Sequence, residues 1–405
     1  MTTVVRDRSS TTSERWDTMK KAHRAVVLLL VAALAPLVAA PLARAEDPCA
    51  DRAPTELDRR GDWRCVGLAT YADPEAEPRD GGLTDEQARR LDVTRPASWE
   101  LGVAVSPDGR LYRQTAPSPT GPDQVRPVNP TPPDADPEGE PQPTGTGQSA
   151  GTGQLAGTGQ VGEVGTRTVF GPDDRVLRLS TTNYPWRVMG SVSAPGSTTS
   201  NCSGSLIGPR HFLTAGHCIH VGGTGADAGW YPDREVAPGQ RGIGTYPNGL
   251  KDHSWYFSVV GWFDHADPAY DYGMIVLQDL PSTAGLGWLG WRSSGHWGGH
   301  WTFGYPGWSH ACAASPSPGG LCDNYLYGDD NSTQLVLAKQ IKTHADAQTG
   351  QSGSPIYQYN GGDRRVIAVL AYHGNWGTRV TGARSDNFCA WIHAFPSAFN
   401  DHPCE

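Results

Sequence analysis

Between Ala116 and about Thr166 the chain becomes a sequence that cannot build a core. "PSPTGPDQVRPVNPTPPDADPEGEPQPTGTGQ" is polar and proline-rich. It runs into "GTGQSAGTGQLAGTGQVG" (145–162), three copies of Gly-Thr-Gly-Gln at a six-residue period. Such a tract has too little apolar surface to offset the entropy of ordering its backbone. It is expected to be a flexible linker over 114–168. A six-residue period can also mark a β-helix, but three copies almost devoid of apolar residues cannot fill one. The tract therefore divides the 405-residue chain into a short N-terminal part and a main domain at 169–405.

The N-terminal part divides again. "MKKAHRAVVLLLVAALAPLVAAPLARAEDPCA" has a positive start at Lys20, Lys21, His23 and Arg24, an apolar run from Ala25 to Ala40, and the small-x-small site Ala43-Arg44-Ala45. This reads as a secretory signal peptide within 1–45, with Met19 as an alternative start. A membrane anchor fits less well, because Pro36 and Pro41 interrupt the run and no other long apolar stretch follows. Residues 46–113 are charged and mixed. "TDEQARRL" (84–91) places Thr84 and Gln87 at capping-box spacing and predicts a short helix. No catalytic cluster occurs in this segment.

Export permits disulfides. The eight cysteines form four neighbouring pairs: Cys49 and Cys65, Cys202 and Cys218, Cys312 and Cys322, Cys389 and Cys404. Neighbour pairing is the simplest of about 105 connectivities. Each closure would stabilise by about 3 kcal/mol on the chain-entropy estimate. There is no C-x-x-C to suggest zinc. A net charge of −9 is mild for this length and argues against a phosphate-binding surface, hence against nucleic acid.

The main domain holds 11 of the 14 tryptophans, enough bulk for a sizeable core. Short apolar runs are punctuated by Gly, Pro and Asn: "RVMGSVSA" (187–194), "CSGSLIGPRHFLTA" (202–215), "SWYFSVVGWF" (254–263), "YGMIVLQ" (272–278), "HWTFGYPG" (300–307), "QLVLAKQIK" (334–342), "GSPIYQY" (353–359) and "RRVIAVLAYH" (364–373). One late helix is predicted, "SDNFCAWIHAF" (385–395), capped by Ser385 or Asp386. Many strands and one terminal helix argue an all-β barrel or sandwich.

Nucleophilic hydrolysis by serine needs an exposed hydroxyl, a base, and N–H groups facing the oxyanion. In "DAQTGQSGSPIY" (346–357), Gly350 and Gly353 flank Ser352 and allow a sharp turn. The N–H groups of Gly350 and Ser352 are then the natural oxyanion donors. Ser354 precedes Pro355 and reads as structural. Alone, the motif is a common turn. Twelve of 13 histidines lie in the domain, and context singles out His217. In "FLTAGHC" (212–218) a strand ends in small residues just before it, and a Cys202–Cys218 bridge would fix the imidazole. Read instead as a metal set, His211, His217 and His220 have spacings of six and three that fit no standard ligand pattern. For the carboxylate that orients the base, "DPAYDYGMIVLQDL" offers Asp267, Asp271 and Asp279. Asp271 stands directly before an apolar strand, while the others look solvated.

"TAGHC", "DYGMIVL" and "GQSGSP", in that order, resemble the chymotrypsin-like (trypsin-fold) serine peptidases. "DDRVLRLSTTNYPWR" (173–187), "CSGSLIGPRHFLTAGHCIH" (202–220) and "GTRVT" (377–381) are similar to the V8-like, or glutamyl endopeptidase, branch. The resemblance covers roughly 169–395. It implies a double β-barrel of the chymotrypsin type with a C-terminal helix. It carries over His217 as base, Asp271 as orienter, Ser352 as nucleophile, and Gly350 and Ser352 as the oxyanion hole. Three departures follow. Gln351 replaces the aspartate that in animal digestive relatives pairs with the new N-terminus. Where the branch places a substrate-reading histidine this chain has Leu370, with His373 three residues later, and Ala347 stands at the hydroxyl position. Asp346, six residues before Ser352, is either a receptor for Lys or Arg or an anchor of its own loop.

These readings predict a secreted serine endopeptidase made as a zymogen, with residues 46–113 as its pro-segment, because early activity harms the producer and the linker is easily cut. An accessory domain kept on a tether is the other reading of that segment. Expected partners are polypeptide substrates and the pro-segment, for a monomer off the membrane after processing. No cofactor is expected, with calcium left open. The competing functions are a non-catalytic binding protein on a peptidase scaffold and an esterase, whose G-x-S-x-G elbow is unmatched.

Overall fold

The computed structural model describes residues 47–50, 52–73, 82–129, 169–170, 173–307, 324–360, 362–372, 374–399 and 403–404. The expected signal peptide, the linker from 130 to 168, His373, Cys312 and Cys322 lie outside these residues.

The N-terminal segment supplies β1 (Trp63–Leu68), β2 (Gly102–Val105) and β3 (Arg110–Gln114). β4 (Gln124–Val125) and β5 (Val176–Arg178) follow. Six strands then make a first barrel: β6 (Met189–Ser193), β7 (Cys202–Gly208), β8 (His211–Thr214), β9 (Glu235–Pro238), β10 (Lys251–Val259) and β11 (Gly273–Leu277). They run β10-β11-β8-β7-β6-β9, and β9 pairs back onto β10. After β12 (Gly290–Arg292), six more make a second barrel: β13 (Gly299–Gly304), β14 (Leu326–Val336), β15 (Gln340–Thr343), β16 (Pro355–Asn360), β17 (Asp363–Tyr372) and β18 (Trp376–Arg379). Their order is β16-β13-β14-β15-β18-β17, closed by β16 on β17. In each barrel the two outermost strands of the order pair with one another. The expected double barrel is thus the observed fold.

Details differ from the sequence reading. "QLVLAKQIK" is not one strand but the two arms of β14 and β15, reversed at Leu337–Lys339, where Leu337 N–H donates to Gln340 O at 2.9 Å. Both arms line one barrel, so their apolar residues read as a single run. The late helix spans Gly382–Ala394, starting a turn early. Ser385 is inside it and not its cap: its Oγ accepts Trp291 Nε1–H at 2.8 Å and donates to Pro122 O at 2.6 Å. The short helix Asp85–Leu91 has the expected capping box between Thr84 and Gln87. Among the described residues, Cys49–Cys65, Cys202–Cys218 and Cys389–Cys404 are the neighbour pairs expected. No helix among them is long and apolar enough to cross a membrane.

Residues 47–129 pack onto the barrels. β9 pairs with β10 only at Lys251 and Asp252, and β2 takes over that side from Tyr256 to Val259. β1, β3 and β2 therefore extend the first barrel's sheet. Trp63 lies edge-on to Phe257, centroids 5.6 Å apart, and Arg113 forks onto Asp264 at 2.7 and 2.6 Å. The stretch 114–129, expected as linker, is seated too. β4 pairs with β12, Val128 and Trp288 exchange backbone bonds of 3.0 and 2.9 Å, and Gly121 N–H donates to Asp386 at 2.7 Å. Hydrogen bonds and the burial of Val125 in the core hold this proline-rich stretch, and its composition did not reveal either.

Candidate active site

β8 and β11 are neighbours with Thr214 opposite Gly273, so the turns beside them meet at one end of the first barrel. The turn after β8 is a 3-10 turn, Gly216–Cys218, carrying His217. The turn before β11, Pro268–Tyr270, delivers Asp271. Asp271 uses both oxygens on one residue: Oδ1 accepts His217 N–H at 2.7 Å, and Oδ2 lies 2.6 Å from His217 Nδ1. A carboxylate only accepts, so Nδ1 carries the proton and Nε2 keeps the lone pair a general base needs. Thr378 Oγ1 donates to Asp271 O at 3.0 Å and ties this turn to β18. Sequence reasoning quoted Thr378 within "GTRVT" but gave it no role.

Ser352 lies between β15 and β16. Its carbonyl accepts Ser203 N–H at 2.6 Å and sits 3.8 Å from Cys218 Sγ, one residue past His217. Ser203 also donates from Oγ to Gly350 O at 2.8 Å, and its carbonyl accepts Thr214 Oγ1–H at 2.7 Å. The start of β7 thus joins the serine turn to the histidine turn, beside the Cys202–Cys218 bridge. Gly350 and Gly353 have φ of +91° and +85°. A side chain at either would be strained, and a Cβ on Gly353 would collide with Ser203 O. The His217 ring lies between Trp262 and Tyr372, with centroids 6.4 and 6.3 Å away.

The other candidates separate. Asp267 pairs with Arg95 at 2.8 Å, and Asp279 takes Ser397 Oγ–H at 2.7 Å. His220 packs on Trp230 and Phe263 and accepts Gly222 N–H at 2.8 Å; burial lowers its pKa to about 3. His211 sits at the other end of β8, so the three histidines do not form a set. Near His217, the possible ligands Cys202 and Cys218 are joined in a disulfide.

Asp346 is buried, accepting Phe170 N–H at 2.7 Å and Asp174 N–H at 3.4 Å. Its own N–H donates to Asp329 at 2.7 Å. Leu370 and Ala347, at the branch's substrate-reading positions, belong to the second barrel's core cluster with Ile341, Ile356 and Ile367. Asp174, Asp329 and Asp346 have carboxylate oxygens within 4.8 Å of one another. Burial, then the neighbouring acidic charges, pushes Asp329 up to about 7, against the Asp346 N–H bond. A raised pKa means the folded chain holds the proton more tightly. That stability is full below the ordinary value of 3.8 and is lost as pH rises toward about 7. Asp329→Asn keeps an oxygen for Asp346 N–H and should flatten that slope. Tm measured from about pH 4 to pH 8 should fall in wild type relative to the variant.

The trypsin family profile matches residues 178–241. The glutamyl endopeptidase of Bacillus licheniformis is 31% identical over 238 residues, 56% of this chain and 69% of that protein. An extracellular metalloprotease of Bacillus subtilis is 31% identical over 237 residues, 56% of this chain and 70% of that protein. This chain belongs to the trypsin-fold serine peptidases, in the glutamyl endopeptidase branch. A solved glutamyl endopeptidase, in complex with MPD, aligns over 55% of this peptidase and all of its own chain, with 20% identity and a TM-score of 0.45. Serine peptidases of this family hydrolyse polypeptides and need no cofactor.

Proposed function

We propose that this peptidase is a secreted zymogen that cleaves peptide bonds through an acyl-enzyme on Ser352. The pairing of His217 with both oxygens of Asp271 is the observation that carries this reading. His217 Nε2 takes the Ser352 hydroxyl proton as Oγ bonds to the substrate carbonyl carbon. The N–H groups of Gly350 and Ser352 receive the oxyanion; Gly350 N–H makes no hydrogen bond among the described residues. Collapse breaks the C–N bond, and the same proton leaves with the amine. Water then repeats the sequence to free Ser352.

Latency follows from cover. His217 and Ser352 are only 1% and 2% exposed in the full chain. Leu83 is buried, and its carbonyl lies within 3.0 Å of where a Cβ on Gly374 would stand, two residues past Tyr372. Asp85 then pairs with Lys342 of β15 at 2.5 Å, opposite Trp376 of β18. The N-terminal segment is thus laid against the strand end beside the imidazole. Processing that removes residues 1–45 and separates 46–168, leaving a domain that begins near Val169, would open the cleft.

A phosphonofluoridate should label the processed protein stoichiometrically on Ser352; an inert processed protein ends the catalytic reading. Asp346 and His373 are the two candidates for reading the substrate side chain at the cleavage position. Asp346, held by two backbone N–H groups, is proposed as the loop anchor. Asp346→Asn should therefore lower kcat/KM by a similar factor for peptides ending in Lys, Arg or Glu. A selective loss on Lys and Arg would instead make Asp346 the pocket charge.

A further inference from the structure

Arg175 stands directly before β5 and is wholly buried. Its guanidinium serves two partners. Nε and Nη2 fork onto Asp173 at 2.9 and 2.6 Å, and Nη1 donates to Gln351 Oε1 at 2.9 Å. Gln351 precedes Ser352 and is buried as well. The same Oε1 accepts Gln348 N–H at 2.9 Å, while Gln351 N–H donates back to Gln348 O at 3.0 Å. Gln351 Nε2 donates to Tyr327 O at 3.3 Å, and Gln351 O accepts Ser354 N–H at 3.1 Å. These bonds enclose Gly350, whose φ of +91° aims the turn.

We infer that Arg175 is a positioning residue for the oxyanion turn, acting through Gln351. The inference rests on Ser352 being the nucleophile. An amide oxygen has two lone pairs, and here Gln348 N–H and Arg175 fill both. Asp173 neutralises the guanidinium, so it can be buried and still donate a charge-assisted bond. Without Arg175 the Gln351 amide can rotate, exchanging its oxygen and nitrogen, and the bond to Gln348 N–H is lost. Arg175 is itself fixed by the barrel. β5 pairs with β14 through Val176–Gly328 and Leu177–Tyr327, and Tyr327 is the residue whose carbonyl takes Gln351 Nε2. A side chain of the barrel therefore does what a freed chain terminus does in the digestive relatives. The turn is assembled before processing, which places latency in the cover over the cleft.

The test uses the full chain, processed identically in wild type and in Arg175→Met, Arg175→Lys and Gln351→Leu, with active sites titrated by phosphonofluoridate. Arg175→Met should lower kcat per titrated site by about 10²-fold with KM little changed, since small misplacements of catalytic groups cost about that much. Arg175→Lys should fall between. A peptide boronic acid should lose affinity in step with kcat/KM, while an unreactive product peptide binds as before. Combining Arg175→Met with Gln351→Leu should add little to either alone. Should Arg175→Met not fold, Gln351→Leu carries the same readout. A packing role would lower Tm and the titrated fraction but leave kcat per site unchanged, and that result overturns the inference. A wild-type protein with no reactive Ser352 would instead defeat the catalytic reading beneath it.

Discussion

Ser352→Ala in the processed peptidase should lower kcat by about 10⁶-fold, whereas Ser354→Ala should leave it within about twofold. Both serines sit in one glycine-rich turn, yet their surroundings differ. Ser352 is joined by its carbonyl to Ser203 and lies against the disulfide that carries the histidine turn. Ser354 is buried with no hydrogen-bond partner for its hydroxyl among the described residues. Removing an unsatisfied buried hydroxyl sacrifices no interaction. His217→Ala should match Ser352→Ala, and the double variant should be no worse, because a relay broken at one point has nothing further to lose. Initial rates on a peptide substrate, normalised to protein mass, decide this. A Ser354→Ala variant as dead as Ser352→Ala would overturn the assignment.

Cutting the chain only within residues 130–168 should leave it inactive, with the two pieces eluting together. The reason is the surface they share. Three strands, the Arg113–Asp264 fork and the Arg95–Asp267 and Asp85–Lys342 pairs join them. Glu100 is the centre of the join. It bonds Lys339, accepts Tyr272 Oη–H at 2.9 Å, lies near Arg384, and gives its carbonyl to Asn387 at 2.8 Å. Burial pushes its carboxyl upward, but Arg384 and Lys339 outweigh this, and its pKa ends below the ordinary 4.5. A lowered pKa contributes stability above the ordinary value, and that stability fades as pH falls through the lowered one. Brief exposure to acid, at a pH beneath the ordinary carboxylate range, should therefore loosen the pair. Glu100→Gln should loosen it at neutral pH by leaving Arg384 and Lys339 without their anion. Size-exclusion chromatography with a peptide assay on each fraction measures both. Full activity straight after the cut, with the pieces still together, would refute the cover.

The all-β class was legible because most strands of the peptidase domain fall in short apolar runs; the double barrel rested on the family resemblance, and the candidate triad on a local motif around each member. Three things were not legible. Arg175 has no signal of its own; its meaning lies in reaching Gln351, 176 residues away. β1 to β3 are short, β1 and β3 mix polar with apolar residues, and their reason to form is the stretch of β10 that β9 leaves unpaired, a tertiary fact. Asp346 could be weighed only as pocket or anchor, because the choice depends on where Phe170 and Asp174 run.

One consequence concerns the surface left when the N-terminal segment departs. The stretch of β10 from Tyr256 to Val259 then loses its partner strand β2, exposing the backbone groups that point to that side. The mature enzyme would carry a bare strand margin backed by aromatic rings, a template for pairing with any extended chain. On the proposed processing the segment would also guard against self-association, and freshly activated enzyme should be most prone to clump when concentrated and free of substrate.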